Sequence, residues 1–429
     1  MEQIKNLFKS QNLISIVWFL FGLQLVTANV TKHSIYYQIT GGLFILACFY
    51  LLVRDIGVKL EKHHLIDLAR KNLYYIPYLI FVFYNILLLL FGNVFDFSNS
   101  LGMIKTISIN LILYILIFNF LLLANDTDKL LKTYISSMAI ANILILIIFW
   151  ESILAGERLA FSWGDDVSTY QLFGISVRTA GPNGIAYYSA IALLLAVYVF
   201  LKQKGRTKYL YLFYIILFVF TIFTTGSRKG LLIIAIGAFF LPLLLTRKGK
   251  KFKLLYGLIG AISTIILLFL TQFIPFLYDM IGERLNRIVI SIITGEVVDI
   301  SMDTRIKLIE MATTYISANP IFGYGLDAFR KMGPWGIVTD NNYLDILVSS
   351  GFIGLIIYYS YAALVILDYL KIKEKDRLLN VFFMIFLINI FLDFFSVTYF
   401  ERNFGYVNVM IFYILIRKKD ETHWKKTSS

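Results

Sequence analysis

Apolar runs about as long as a bilayer is thick recur from one end of this chain to the other, and no soluble fold buries so many of them. A window of about 20 residues marks segments near 13–31, 35–53, 73–92, 101–123, 133–154, 183–201, 209–225, 230–246, 254–275, 342–370, 378–398 and 405–416. In hydrocarbon only helices satisfy their own backbone groups segment by segment. The sequence therefore predicts an all-α polytopic membrane protein of about 12 transmembrane helices, with residues 1–429 forming a single membrane domain. Composition agrees: 59% of residues are hydrophobic and 16% charged, against about half and about a quarter in soluble domains. Lys5 and Lys9 precede the first run as in a cleavable leader, but no small-residue cleavage site follows before Val30 and a second apolar run comes at once. The first run is read as a span.

The net charge of +13 comes as short clusters between apolar runs rather than as one basic face, which argues for membrane topology and against nucleic acid as a partner. With both termini cytoplasmic, every inner connection is basic, from Arg54, Lys59, Lys62, Arg70 and Lys71 to Lys371, Lys373, Lys375 and Arg377. Outer connections carry little of this excess, as the positive-inside rule requires. The single cysteine, Cys48, excludes an internal disulfide framework and a multi-cysteine metal site.

Two outer connections are long, about Ala155–Pro182 and the stretch 276–340 between the ninth and tenth spans. Purposeless loops are usually short. Within the second, Ile306, Ile309, Ala312 and Ile316 form a helical stripe that Asn319-Pro320 ends, so an amphipathic helix is expected over Asp303–Asn319. Neither a repeat of the architecture nor the inverted pair of broken helices of a transporter is visible.

The chain has no phosphate loop, no dinucleotide fingerprint and no HExxH, and none of His33, His63, His64 and His423 pairs with a second ligand on the outer face. No metal and no cofactor is therefore expected. What remains is a set of arginines and carboxylates on the outer side. Thr225-Gly226-Ser227-Arg228-Lys229-Gly230 joins two apolar runs almost without a loop. Its glycines permit a tight turn, and the following helix N-terminus, Arg228 and Lys229 favour an anion. An interfacial arginine reaching for water is the plainer alternative. Arg178, before Gly181-Pro182-Asn183-Gly184, and Arg284, Arg287 and Arg305 share that side. Asp340-Asn341-Asn342-Tyr343 opens a membrane helix, where Asp340 can take a proton from a hydroxyl or merely cap the helix. Asp393, within a span, and Glu151, near the interface, are reserve carboxylates.

Taken in order, the Thr-Gly-Ser-Arg-Lys-Gly turn at 225–230, the stretch from Arg305 through Asn319-Pro320 to Gly323-Tyr324-Gly325, and Asp340-Asn-Asn-Tyr343-Leu followed by Gly351-Phe-Ile-Gly354 resemble the O-antigen polymerase and ligase superfamily of bacterial inner-membrane proteins. The resemblance implies a metal-independent glycosyltransferase bundle of the GT-C type, inverting, with undecaprenyl-diphosphate-linked oligosaccharide as donor and acceptor on the extracytoplasmic face. It makes Arg228 and Arg305 the arginines of the lipid diphosphate. Arg178, Asn183, Ser227, Lys229, Arg284, Arg287, Asn341, Tyr343 and Asp393 become the wider substrate-binding set, and Asp340 the candidate base. The ligase branch usually shows a histidine before the Asn-x-Tyr-Leu element, where this chain has Asp340. That tilts the reading toward a polymerase of O-antigen, capsule or exopolysaccharide repeat units. Ligation of finished glycan to a lipid or protein, and transport of lipid-linked sugars, are the alternatives. Membrane lipid and a chain-length regulator are the other partners this reading accommodates. The guanidinium groups are expected to gather in one extracytoplasmic pocket.

Overall fold

The computed structural model describes residues 10–31, 35–58, 71–155, 159, 169–172, 175–245, 249–295 and 299–427 of the 429. Among the described residues the regular structure is helical apart from one hairpin. In order it forms α1 (Ser10–Val30), α2 (Ile35–Val58), α3 (Ile76–Phe91, entered through a 3-10 turn at Asn72–Tyr75), α4 (Phe97–Ala124), α5 (Thr127–Ile148) and the short α6 (Trp150–Leu154). Strands β1 (Thr169–Leu172) and β2 (Ile175–Arg178) pair antiparallel, with Thr169 opposite Arg178. There follow α7 (Pro182–Lys202), α8 (Thr207–Thr224), α9 (Arg228–Leu245), α10 (Lys250–Leu270), α11 (Glu283–Thr294), α12 (Ile300–Ala318), α13 (Ala328–Met332), α14 (Asn342–Lys371), α15 (Arg377–Leu392) and α16 (Arg402–Thr427).

Among the described residues ten helices are long and apolar enough to cross a membrane. The expected count was about twelve, and the two that fall short are instructive. Helix α15 has 16 residues, because the run read as 378–398 leaves the helix at Leu392 and turns. Helix α16 is long but carries its charged residues through its second half, where Lys419 pairs with Asp368 at 2.7 Å and Lys418 with Asp376 at 3.2 Å. The run read as 133–154 likewise breaks at Phe149. Three histidines, His33, His63 and His64, lie outside the described residues, as do Lys5, Lys9, Lys59, Lys62 and Arg70 of the orientation argument.

The chain divides into two compact units, 1–51 with 124–296, and 52–123 with 297–429. In the first, α7 is the enclosed helix. Helix α9 reaches it through Gly230 and Gly237, where an added Cβ would lie 2.9 Å from Ala186 and 2.2 Å from Leu194. Without water to drive association, such small-residue contacts are how membrane helices gain dispersion energy. Asn142 of α5 and Ser189 of α7 add a buried reciprocal hydrogen bond.

In the second unit α14 packs on α3 around an aromatic cluster, Tyr78, Phe81, Tyr358 and Tyr361, with ring centroids about 5 Å apart. Helix α14 is broken at Gly351, whose φ is 64°. Breaking a helix frees carbonyls that must find donors. The segment 320–325 provides them: Tyr324 N–H donates to Val348 O at 2.9 Å and Gly325 N–H to Ser349 O at 2.8 Å, while Phe352 N–H turns to Pro320 O at 2.9 Å. A Cβ at 351 would meet Ile321 O at 2.0 Å, so glycine is required there for space as well as for its dihedral.

Candidate functional site

The stretch 276–340, expected as a loop with one helix, contains α11, α12 and α13. Asp299 caps α12, accepting from Met302 N–H at 2.9 Å. The stripe read from the sequence divides: Ala312 is buried with Leu308, against Phe329 and Val348, whereas Ile306 and Ile309 are exposed. Arg305 lies three and seven residues before Leu308 and Ala312, on the packed face of α12. Its Nε donates to Asp340 Oδ2 at 3.2 Å, and both side chains are about one third exposed, 31% and 39%.

The residues around Asp340 are turned the other way. Asn341, not Asp340, caps α14, its Oδ1 accepting from Leu344 N–H at 3.1 Å. Asn342 is fully buried. Its Oδ1 accepts from Thr398 N–H at 2.8 Å and Tyr399 N–H at 3.0 Å, and its Nδ2 donates to Tyr359 Oη at 2.8 Å. Tyr343 donates to Ile390 O at 2.8 Å and stacks on Tyr359. Asp345, 1% exposed, accepts from Tyr399 Oη at 3.2 Å. Asp393 sits just past α15 with both oxygens used, one by Thr398 Oγ1 at 2.6 Å and the other by Tyr359 Oη at 2.7 Å. It is a buried acceptor at the wall of a small cavity that Tyr78, Tyr358, Thr398 and Tyr399 also line.

Asp340 is thus the member of this turn left facing outward. It also holds φ at 58°, a left-handed conformation that costs a non-glycine residue about 1 kcal/mol. A half-exposed ion pair contributes about 0–1 kcal/mol, so pairing with Arg305 does not explain why that cost is borne. Aspartate and asparagine enter this region more readily than other side chains, and Asn125 and Asp327 share it here.

In the other unit, Gly226 takes a left-handed φ of 59° and makes the turn between α8 and α9. Gly230, read from the sequence as part of that turn, lies inside α9 at the helix contact already described. Ser227 Oγ donates to Asn183 Oδ1 at 2.9 Å, and Arg284 Nη1 donates to Gly226 O at 3.3 Å. The fold so brings Asn183, Ser227 and Arg284 to one turn, from which Arg228 and Lys229 emerge, partly exposed, as the first residues of α9. Arg287 pairs with Glu283 one turn earlier on α11, an exposed surface pair. Arg178 ends β2. Glu151 lies exposed in α6.

Asn342 was not singled out in the sequence. The doubled asparagine was the available signal: one residue suffices for a cap, and the second is then free for another duty. A cleft of about 580 Å³ opens beside the 319–325 turn, lined by Tyr84, Leu87, Phe91, Asn319 and Phe322 among others. Its lining suits hydrocarbon rather than phosphate. Among the described residues no three of His, Cys, Asp and Glu gather closely enough to hold a metal ion.

Residues 213–359 match the family model described as O-antigen ligase. The match covers about a third of the chain and supports its relation to the O-antigen polymerase and ligase superfamily. The matched segment contains both the 225–230 turn and the Arg305–Asp340 pair, and it leaves out Arg178, Asn183 and Asp393. The match supports a polymerase- or ligase-type role in glycan transfer. No curated protein matches the chain.

Proposed function

We propose that this protein polymerises lipid-linked oligosaccharide repeat units on the extracytoplasmic face of a bacterial cytoplasmic membrane, both of its termini being cytoplasmic. The donor is a glycan on undecaprenyl diphosphate, and the acceptor is a hydroxyl of a second lipid-linked unit. The reading is carried by the Arg305–Asp340 pair: a guanidinium and a strained, outward-facing carboxylate 3.2 Å apart within the matched segment.

The chemistry follows from the residues. A diphosphate leaving group departs as a stable anion, so the reaction needs little general acid. The negative charge that develops on the bridging oxygen is what preorganised cations stabilise. Pairing with Asp340 uses only Nε of Arg305, which leaves the Nη edge for a phosphate in the two-bond geometry that arginine favours. Arg228, at the first position of α9, offers a guanidinium beside the N–H groups of a helix N-terminus, a pairing that favours an anion. Asp340 accepts the proton of the acceptor hydroxyl as its oxygen attacks the anomeric carbon. The bond to the diphosphate oxygen breaks on the opposite side, its electron pair leaves with the diphosphate, and the configuration inverts. Asp340 occupies the position where the ligase branch usually shows a histidine, which favours a repeat-unit acceptor over a finished lipid core.

Purified full-length protein given lipid-linked repeat units, without nucleotide or metal, should extend them, and no extension with a verified donor refutes transfer. Arg228→Ala should abolish extension while the protein still accumulates in the membrane, and Arg228→Lys should rescue it poorly because a point charge does not replace the fork. Mass spectrometry of polyprenyl-linked products in a deletion strain separates the acceptors. Single repeat units accumulate if the protein polymerises, and long lipid-linked chains if it ligates.

A further inference from the structure

Helix α11 is strongly two-sided, with Leu285, Ile288, Val289, Ile292 and Ile293 on one side and Glu283, Arg284, Arg287, Ser291 and Thr294 on the other. On the surface of a water-soluble protein the apolar side of such a helix turns inward. Here the exposed arc runs across the boundary of the two sides, with Val289, Ile290 and Ile293 outward next to Glu283 and Thr294, while Ser291 is buried and Leu285 and Ile288 are partly covered. Ser291 is 7% exposed, and Arg284 reaches inward to Gly226 O at 3.3 Å, whereas Ile293 is 78% exposed and Val289 50%. A helix oriented this way needs an apolar medium on its outer side.

The surface that leads to α11 shows the same orientation. Helix α10 meets the protein along one edge and elsewhere exposes Ile262, Ile265, Ile266 and Phe269, as a span facing lipid does. Phe273 and Ile274, exposed in the turn that follows, continue this surface toward α11. Glu283 and Arg287, paired with each other, lie at one edge of the exposed arc, where charged groups reach water. Gly295, with φ 73°, ends the helix.

We infer that α11 lies in the bilayer interface, with Val289 and Ile293 among the acyl chains and Glu283 and Arg287 at the headgroups. The partner is the lipid surface itself. The inference stands independently of the glycan chemistry, since it rests only on which side of α11 faces outward. Its link to the 225–230 turn runs through Arg284, so the same interfacial helix braces the turn that presents Arg228.

Single cysteines placed at Glu283, Val289 and Ile293 of the full chain, with Cys48→Ala, test this after spin labelling in phosphatidylcholine–phosphatidylglycerol vesicles. At 289 and 293, collisions with oxygen should exceed those with a water-soluble nickel chelate by several-fold, and at 283 the ratio should reverse. An accessibility that favours the nickel chelate at all three positions overturns the inference. So does exclusion of both reagents at 289 and 293, which would mean that protein, and not lipid, covers the helix. Gel-filtration profiles matching the parent chain establish that each variant is folded.

Discussion

Replacing Asn342 by alanine strikes the site's support without touching its outward face. The side chain accepts from two buried backbone N–H groups, those of Thr398 and Tyr399, at 2.8 and 3.0 Å, and donates to Tyr359. Truncation leaves both donors without a partner in a place that is fully buried. Each buried donor left unsatisfied costs roughly 1–3 kcal/mol, and partial relaxation puts the sum near 3 kcal/mol. For a unit of this size that corresponds to a midpoint about 6–12 °C lower. Asn342→Asp retains the two acceptor contacts but presents a carboxylate to Tyr359, which already donates to Asp393, so it should be no better tolerated. Thr398→Val removes one bond to Asp393 and leaves the backbone contacts intact, giving a smaller loss of about 1 kcal/mol. Thermal unfolding in detergent, followed by size-exclusion fluorescence, reads all three. Equal midpoints for the parent chain and Asn342→Ala would show that the 341–345 turn is not held in this way, and the account of why Asp340 faces outward would fall with it.

The strain at Asp340 predicts a separation of stability from activity. Asp340→Gly should raise stability by about 1 kcal/mol while abolishing glycan transfer, and Asp340→Asn, which tolerates a left-handed φ, should leave the melting point in place and still lose transfer. Gly351→Ala would bring a Cβ within 2.0 Å of Ile321 O at a φ of 64°, so the variant should fail to accumulate, as a fluorescent fusion would report. Burial holds the Asp327 carboxyl above its usual range, with Arg330 and Lys331 pulling the other way. The folded state therefore binds this proton more readily than the unfolded one. The contribution is greatest at acid pH and is lost as pH rises through the folded pKa. Asp327→Asn, at a left-handed φ of 62°, should remove that dependence from melting curves taken across a pH series.

The helices were legible because the membrane imposes a length and a composition that any window can detect. The departures have local causes. The apolar run of α15 continues past Asp393, yet the helix stops at Leu392 because Asp393 is engaged by Thr398 and Tyr359, residues that hydropathy does not connect to it. Helix α11 is not predicted from the sequence, where 276–340 reads as a loop with one helix over Asp303–Asn319, and only coordinates show which of its apolar residues face outward. At the candidate site the charged residues stood out by type, and the segment matched by the family model contains Arg228, Arg305 and Asp340. The choice between base and cap at Asp340 needed coordinates. Asp340 and Asn341 are both good caps by chemistry, and the dihedral at 340 and the Leu344 contact decide between them.

The break in α14 carries a consequence for how the protein is made. The segment 320–325 leaves the ribosome before the helix whose carbonyls it will engage, so it must await that helix. Until the two meet, Val348 O and Ser349 O lack the tertiary donors they have in the finished protein, an expensive condition among lipid tails. The break at Gly351 is therefore only as secure as the docking of a segment that lies outside the helix, and a change at 320–325 reaches the helix through those two carbonyls.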